Sequence, residues 1–273
     1  MSPSTDGPGE VALYEVTERI VTITLNRPEA RNALNSALLS QLTVQLRRAE
    51  ADDGIDVIIL TGTDPAFCAG LDLRELGTSQ DKSSNRGGIA DSGADGSLNS
   101  DGIRGPFPKI TKPLIGAING AAVTGGLELA LNCDFLIASE RARFGDTHAR
   151  VGVMPGWGLT VLLPQAIGVR RAREMSFTGN FLSSADALKF GLVNEVVAHA
   201  DLLGATRRLA ADIVANDQSG VRQIRRTYGA ITRDEKAWQI ESDDSLAWRK
   251  TEFDSETVAM RRGDIIARGR TQQ

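Results

Sequence analysis

The chain is short of the residues on which most recognisable chemistry hangs. Among 273 residues it has only two cysteines, Cys68 and Cys133, and two histidines, His148 and His199. Two cysteines offer no disulfide framework and no metal-ligand spacing, and they fit a reducing, cytoplasmic compartment. No apolar run approaches the roughly 18 to 20 residues that a membrane span needs. The opening "MSPSTDGPGE" lacks the basic-then-apolar layout of a signal peptide and reads as a frayed tail over residues 1–10. Excess positive charge is also missing. The net charge is −4, and the late basic clusters "RRTYG" and "MRRGD" are of the kind amphipathic helices carry, so nothing points to nucleic acid.

What is present is an alternation of strand and helix signals. "VALYEV" and "RIVTITL" are β-branched runs separated by "TE" and read as a hairpin. The period then changes. Leu34, Leu38, Leu42 and Leu46 recur at helical spacing, with Asn35 or Ser36 as the cap. "DVIILTG", "KPLIGAI" and "CDFLIAS" are buried strands, and "NGAAVTGGLELALN" between the last two reads as a glycine-rich turn leading into a helix. This order predicts α/β units stacked along the chain. Residues 77–105 are rich in Gly, Ser and Asp and poor in apolar side chains. They predict a mobile insertion, either a solvated loop or a lid that orders with ligand. "SSADALKFGLV" reads as a capped helix ending at Gly191, and amphipathic helices fill residues 200–273. Their apolar stripes, with Trp238 and Trp248 among them, call for a covering surface, either the core or a second subunit.

Two stretches offer backbone more than side chains. "PAFCAGLDL" and "INGAAVTGGLELAL" each place small residues after a strand, which lets a ligand approach the main chain. A helix starting near Gly125 presents free N–H groups and a positive dipole end to an anion. Glu128 lies one turn in, and its side chain leans back toward that end, within reach to move a proton. The bland alternative is a glutamate that only complements the helix dipole. Cys68, among Phe67, Ala69 and Gly70, reads as a small buried residue with no base beside it.

At these residues the chain resembles the crotonase family, also called the enoyl-CoA hydratase/isomerase family. "LNRPEARNALN", "FCAGLDL", "INGAAVTGGLELALNCDFLIAS" and "RVGVMPGWGLTVLLPQAIG" match its segments in order and spacing, across roughly residues 10–265. The resemblance implies a spiral of ββα units over residues 11–199 and a helical C-terminal region that builds trimers, often paired into hexamers. It implies acyl-CoA thioester substrates, with no metal and no redox cofactor. It implies an oxyanion hole from the Leu71 and Gly125 amides, and a loop from Ala69 through Gly70, Leu71 and Asp72 to Leu73 that wraps coenzyme A. Arg31 is either a phosphate contact or a plain surface arginine. Hydratases of the family carry one glutamate at the position of Glu128 and a second in a "G-x-P-E" segment. Here that segment reads Gly145-Asp146-Thr147-His148, so His148 stands in the second catalytic place, where an imidazole either does chemistry, touches substrate without chemistry or is structural, and Asp146 could also reach in. The resemblance therefore implies a hydratase with Glu128 and His148 on either side of the substrate β-carbon. The alternatives are an isomerase or other lyase of the same fold, or an acyl-CoA binder without turnover.

Overall fold

The computed structural model describes residues 10–78, 99, 101 and 105–272. The hairpin forms from β1 (Ala12–Thr17) and β2 (Ile20–Leu25), paired antiparallel. Helix α1 (Ser36–Ala51) follows, capped by the Asn35 side chain, which accepts from the Leu38 amide at 2.9 Å. Its buried face is Leu38, Leu39, Leu42 and Leu46, packed with the inner residues of β1 and β2. Full burial of each leucine is worth about 1.5–3 kcal/mol, so this stripe anchors the helix far more firmly than helix propensity does.

The chain then makes three similar coils. In the first, β3 (Val57–Gly62) runs into β4 (Ala66–Cys68) and helix α2 (Leu73–Thr78). The second runs from β5 (Leu114–Ile118) to β6 (Ala121–Val123) and α3 (Gly125–Leu131). The third runs from β7 (Phe135–Ser139) to β8 (Arg143–Gly145) and α4 (His148–Val151). Each coil gives one strand to a large sheet and a shorter strand to a small one. The large sheet has the order β1-β2-β3-β5-β7-β10, closed by β10 (Glu195–Val197), and is parallel from β2 onward. The small sheet has the order β4-β6-β8-β9, with β9 (Phe181–Ser183) antiparallel at its edge. This is the spiral of ββα units that the resemblance implies. Strand β3 is buried along its whole length, as a parallel strand covered on both faces must be.

Helices α5 (Leu159–Ile167), α6 (Val169–Thr178) and α7 (Ser184–Phe190) follow the third coil, α7 between a Ser183 cap and a left-handed Gly191. Helix α8 (Leu202–Val214) covers the second face of the large sheet, setting Leu202 and Ala210 against Val57, Ile59, Ile115 and Ile137. Helices α9 (Gln218–Thr232), α10 (Glu235–Thr251) and α11 (Ser255–Arg270) complete the chain, with α11 lying on α2 and α4.

Most of the stretch expected to be a mobile insertion, and residues 1–9 of the expected tail, lie outside the described residues. Residues 77 and 78 end helix α2, and two further described residues of the stretch, Asn99 and Asp101, are tied down. Asn99 is buried and donates to the Phe107 carbonyl at 2.8 Å, and Asp101 pairs with Arg47 at 2.8 Å. Of the two covering surfaces expected for the C-terminal stripes, Trp238 takes its own chain. It is buried inside its own chain, against the Gly158 turn and under Arg233.

Candidate active site

The small sheet sets the site. Strands β4, β6 and β8 are parallel, so the chain leaves all three at the same edge, where ligands of parallel α/β sheets gather. Each exit carries part of the constellation.

The exit from β4 is Ala69, Gly70 and Leu71. It is laced to residues 31–34: the Ala69 amide donates to Arg31 O at 3.0 Å, Leu34 to Gly70 O at 2.7 Å, and Asp72 to Leu34 O at 2.9 Å. Gly70 has φ +91°, and a Cβ there would sit 2.8 Å from the Val123 carbonyl oxygen. Gly126 is tighter still, since a Cβ would fall 2.2 Å from the Cys68 carbonyl oxygen. Only glycine lets the two turns meet, and their contact brings the 68–71 and 123–126 segments side by side. Among the described residues, neither the Leu71 amide nor the Gly125 amide, the first of α3, has an acceptor. Cys68 is fully buried, and burial pushes its thiol up to about 12, which leaves it inert as a nucleophile.

The exit from β6 is α3, with Glu128 in its first turn and only 3% exposed. Its Oε1 accepts from the Trp157 amide at 2.8 Å and the Gly156 amide at 3.2 Å. Its Oε2 lies 3.4 Å from His148 Nε2.

The exit from β8 is Asp146, Thr147 and His148. His148 opens the short helix α4 rather than lying in a loop. Its Nδ1 is 2.7 Å from Asp146 Oδ1, which also accepts the His148 amide at 3.1 Å. Thr147 and Thr124 join the two exits through their hydroxyls at 2.5 Å. The result is a buried row, Asp146–His148–Glu128. Burial alone would strip the imidazole of its proton. The hydrogen bonds and charges of Asp146 and Glu128 outweigh it and raise His148 to about 10. Asp146 moves the other way: burial pushes it up, but its hydrogen bond with the imidazole and the imidazolium charge bring it below the usual carboxylate range. At neutral pH both ring nitrogens carry protons, each facing a carboxylate.

A cavity of about 460 Å³ opens over these turns. Of the residues expected to contact a ligand, Arg31, Ala69, Leu71, Asp72 and Leu73 line it, while Gly70 and Gly125 do not. Thr124 and Thr147 line it, whereas Glu128 and His148 do not. Asp72 is occupied with its own loop, paired with Arg27 at 3.1 Å and accepting the Arg74 amide at 3.0 Å. Glu128 and His148, expected on either side of a substrate carbon, stand next to each other at 3.4 Å.

Reasoning from sequence missed the donors that hold Glu128. Gly156 and Trp157 act through backbone amides, and their only signal is the glycine-rich "MPGWG". It also missed Asn32, fully buried, which accepts from Arg27 N and donates to Thr63 O and Ala66 O, holding the β3–β4 corner to the cavity rim.

Comparison with known proteins agrees with this fold. The family described as enoyl-CoA hydratase/isomerase matches the chain over residues 15–260. The chain is 39% identical over 206 residues to a probable peroxisomal enoyl-CoA hydratase of Arabidopsis thaliana, covering 76% of this chain and 73% of that one. It is 33% identical over 242 residues to a short-chain-enoyl-CoA hydratase of Clostridium acetobutylicum, covering 88% and 87%. The crystal structure of an enoyl-CoA hydratase from Mycobacterium tuberculosis H37Rv superimposes with a TM-score of 0.78 at 50% identity, covering 89% of this chain and 100% of that one.

Proposed function

Because the chain belongs to the enoyl-CoA hydratase/isomerase family, we propose that it is a lyase that adds water across the double bond of a 2-enoyl-CoA thioester. The observation that carries this is the Asp146–His148–Glu128 row, together with two amides that have no acceptor among the described residues. The Leu71 and Gly125 N–H groups hold the thioester oxygen as it becomes an enolate, in a site where such donors are worth far more than in water. Glu128 Oε2 takes a proton from water as the water oxygen bonds to the β-carbon. The π electrons move toward the thioester, and the imidazolium of His148 gives its Nε2 proton to the α-carbon. One water is thereby added, leaving Glu128 protonated and His148 neutral. The 3.4 Å contact between Oε2 and Nε2 offers the route by which the proton returns and the site resets. Asp146 holds Nδ1 and keeps Nε2 aimed at Glu128.

Water, the proton acceptor and the proton donor account for every atom moved, so this reaction calls on no metal and no redox group; coenzyme A enters with the substrate. Arg31 and the Ala69–Leu73 loop, with Gly70 shaping it, are the proposed coenzyme A contacts. We also propose a homotrimer or a dimer of trimers. Helix α9 has no buried residue, yet Ile224, Tyr228 and Ile231 form one exposed apolar face on it. A stripe of this kind calls for a covering partner. No helix among the described residues is long and apolar enough to cross a membrane. We assign the chain to the cytoplasm on its cysteine usage; the Arabidopsis thaliana relative is named for peroxisomes.

The test is a panel of 2-enoyl-CoA and 3-hydroxyacyl-CoA thioesters followed by the absorbance of the conjugated thioester. Glu128→Gln lowers turnover by about 10²- to 10⁴-fold while thioester binding survives. His148→Ala causes a comparable loss. If neither change matters, the roles given to Glu128 and His148 fail; if the wild type turns over none of the thioesters, the hydratase assignment fails and binding without turnover takes its place.

A further inference from the structure

The segment from Gly156 to Thr160 serves two carboxylates at once. The amides of Gly156 and Trp157 hold Glu128. The next amides in line hold a different acid, Glu241, which reaches in from α10. Glu241 Oε1 accepts the Gly158 amide at 2.6 Å. Its Oε2 accepts the Thr160 amide at 2.6 Å and the Thr160 hydroxyl as well. Glu241 is 5% exposed, and an unpaired carboxylate so deeply buried would be costly, so all three donors matter to it. Gly158 and Thr160 also open helix α5, whose first amides favour negative charge. The grip has a second point. Gly158 has φ +95°, and a Cβ on it would fall 2.1 Å from the Trp238 ring. Trp238 lies three residues before Glu241, on the same face of α10. Ring and carboxylate together press one helix of the C-terminal region onto the turn that anchors Glu128.

We propose that Glu241 is a positioning residue: by fixing the Gly158–Thr160 turn it aims the Gly156 and Trp157 amides, and through them the Glu128 carboxylate. This rests on the reading of Glu128 as the base. The connection is short. Trp157 and Gly158 share a peptide bond, so a turn that rotates to find new acceptors for Gly158 and Thr160 carries the Trp157 amide with it. A misplacement of about 1 Å at a reacting group can cost about 10²-fold in rate. The two acids also sense each other directly. Burial first, and then the charge of Glu128, raise Glu241 above the usual carboxylate range. Glu241 does not line the cavity over the site, so its influence on the reaction passes through the turn and not through substrate contact.

The experiment is a double-mutant cycle in the full-length protein. Glu241→Gln keeps the shape and one acceptor but turns an amide NH₂ toward a donor. The expected result is a fall in kcat of about 10- to 100-fold, with KM for the 2-enoyl-CoA changed by less than about threefold. The decisive result comes from Glu128→Gln combined with Glu241→Gln. The double variant should be no slower than Glu128→Gln alone, because aiming a side chain that no longer takes a proton changes nothing. Thr160→Val removes only the hydroxyl bond and should show a smaller loss with the same dependence on Glu128. It also stands in if Glu241→Gln fails to fold. Losses that multiply in the double variant, or a Glu241→Gln enzyme with normal kcat, overturn the proposal while leaving Glu128 as the base. A Glu128→Gln enzyme with normal turnover overturns the reading of Glu128 as the base, on which the proposal rests, so the two failures are separable.

Discussion

Replacing Asp146 by asparagine removes one negative charge from the buried row and almost none of its shape. Asp146 Oδ1 is 2.7 Å from His148 Nδ1, and the imidazole is flanked by this carboxylate and by Glu128. A hydrogen bond to a charged group contributes about 1.5–3 kcal/mol. At about 1.4 kcal/mol per pH unit, losing it lowers the proton affinity of His148 by about one to two units. The wild-type imidazolium persists to about pH 10, so in Asp146→Asn it should titrate at about pH 8 to 9. If Nε2–H is the proton given to the α-carbon, turnover falls as that proton is lost. The alkaline limb of kcat for a short 2-enoyl-CoA should therefore move down by the same one to two units, with turnover near pH 6 much less affected. The assay is thioester absorbance at saturating substrate between about pH 6 and 11, with circular dichroism at each pH to confirm the fold. An alkaline limb that stays within about 0.3 units of wild type would falsify the assignment of His148 as the acid, however much the rate falls.

The same imidazole should leave a mark on stability. Its folded pKa is raised above the unfolded value of 6.5, so its contribution is complete below about pH 6.5 and lost as pH rises toward about 10. The unfolding midpoint in denaturant should fall across that window, and His148→Gln should flatten the slope; a variant with the wild-type slope counts against the charged row. Gly126→Ala would place a Cβ 2.2 Å from a buried backbone oxygen. Overpacking of this kind costs about 1–3 kcal/mol, and thermal unfolding should register it as a Tm lowered by several degrees together with lost turnover as the two glycine turns part. On α9, Ile231→Glu puts a charge in the exposed apolar face. Light scattering should show trimers or hexamers for the wild type and smaller species for the variant, and a monomeric wild type at micromolar concentration removes the assembly proposal.

What could be read from the chain beforehand was whatever has a local cause. The hairpin follows from β-branched runs, α1 from leucines at helical spacing with Asn35 as its cap, and the start of α3 from a glycine pair after small residues. The strands of the small sheet were illegible. Ala66–Cys68, Ala121–Val123 and Arg143–Gly145 are three residues each, too short to display a period of two, and two of them lie inside what reads as glycine-rich turn. Yet this sheet is what brings the three exits to one edge. The same limit applies within the site. The spacing of Asp146 and His148 hints at their contact, but Glu128 meets His148 only because β6 and β8 are neighbours, a fact of tertiary structure. The groups that steady Glu128 leave still less trace. Gly156 and Trp157 contribute amides, which every residue has, and Glu241 lies 83 positions beyond Gly158 on a helix whose stripe could have faced either the core or a second subunit. Acids at 128 and 241 that share one turn cannot be recognised as partners from spacing. Their relation exists only because α10 folds back onto the start of α5. For that reason a substitution far along the C-terminal helices is expected to alter the chemistry of a site built from the small sheet.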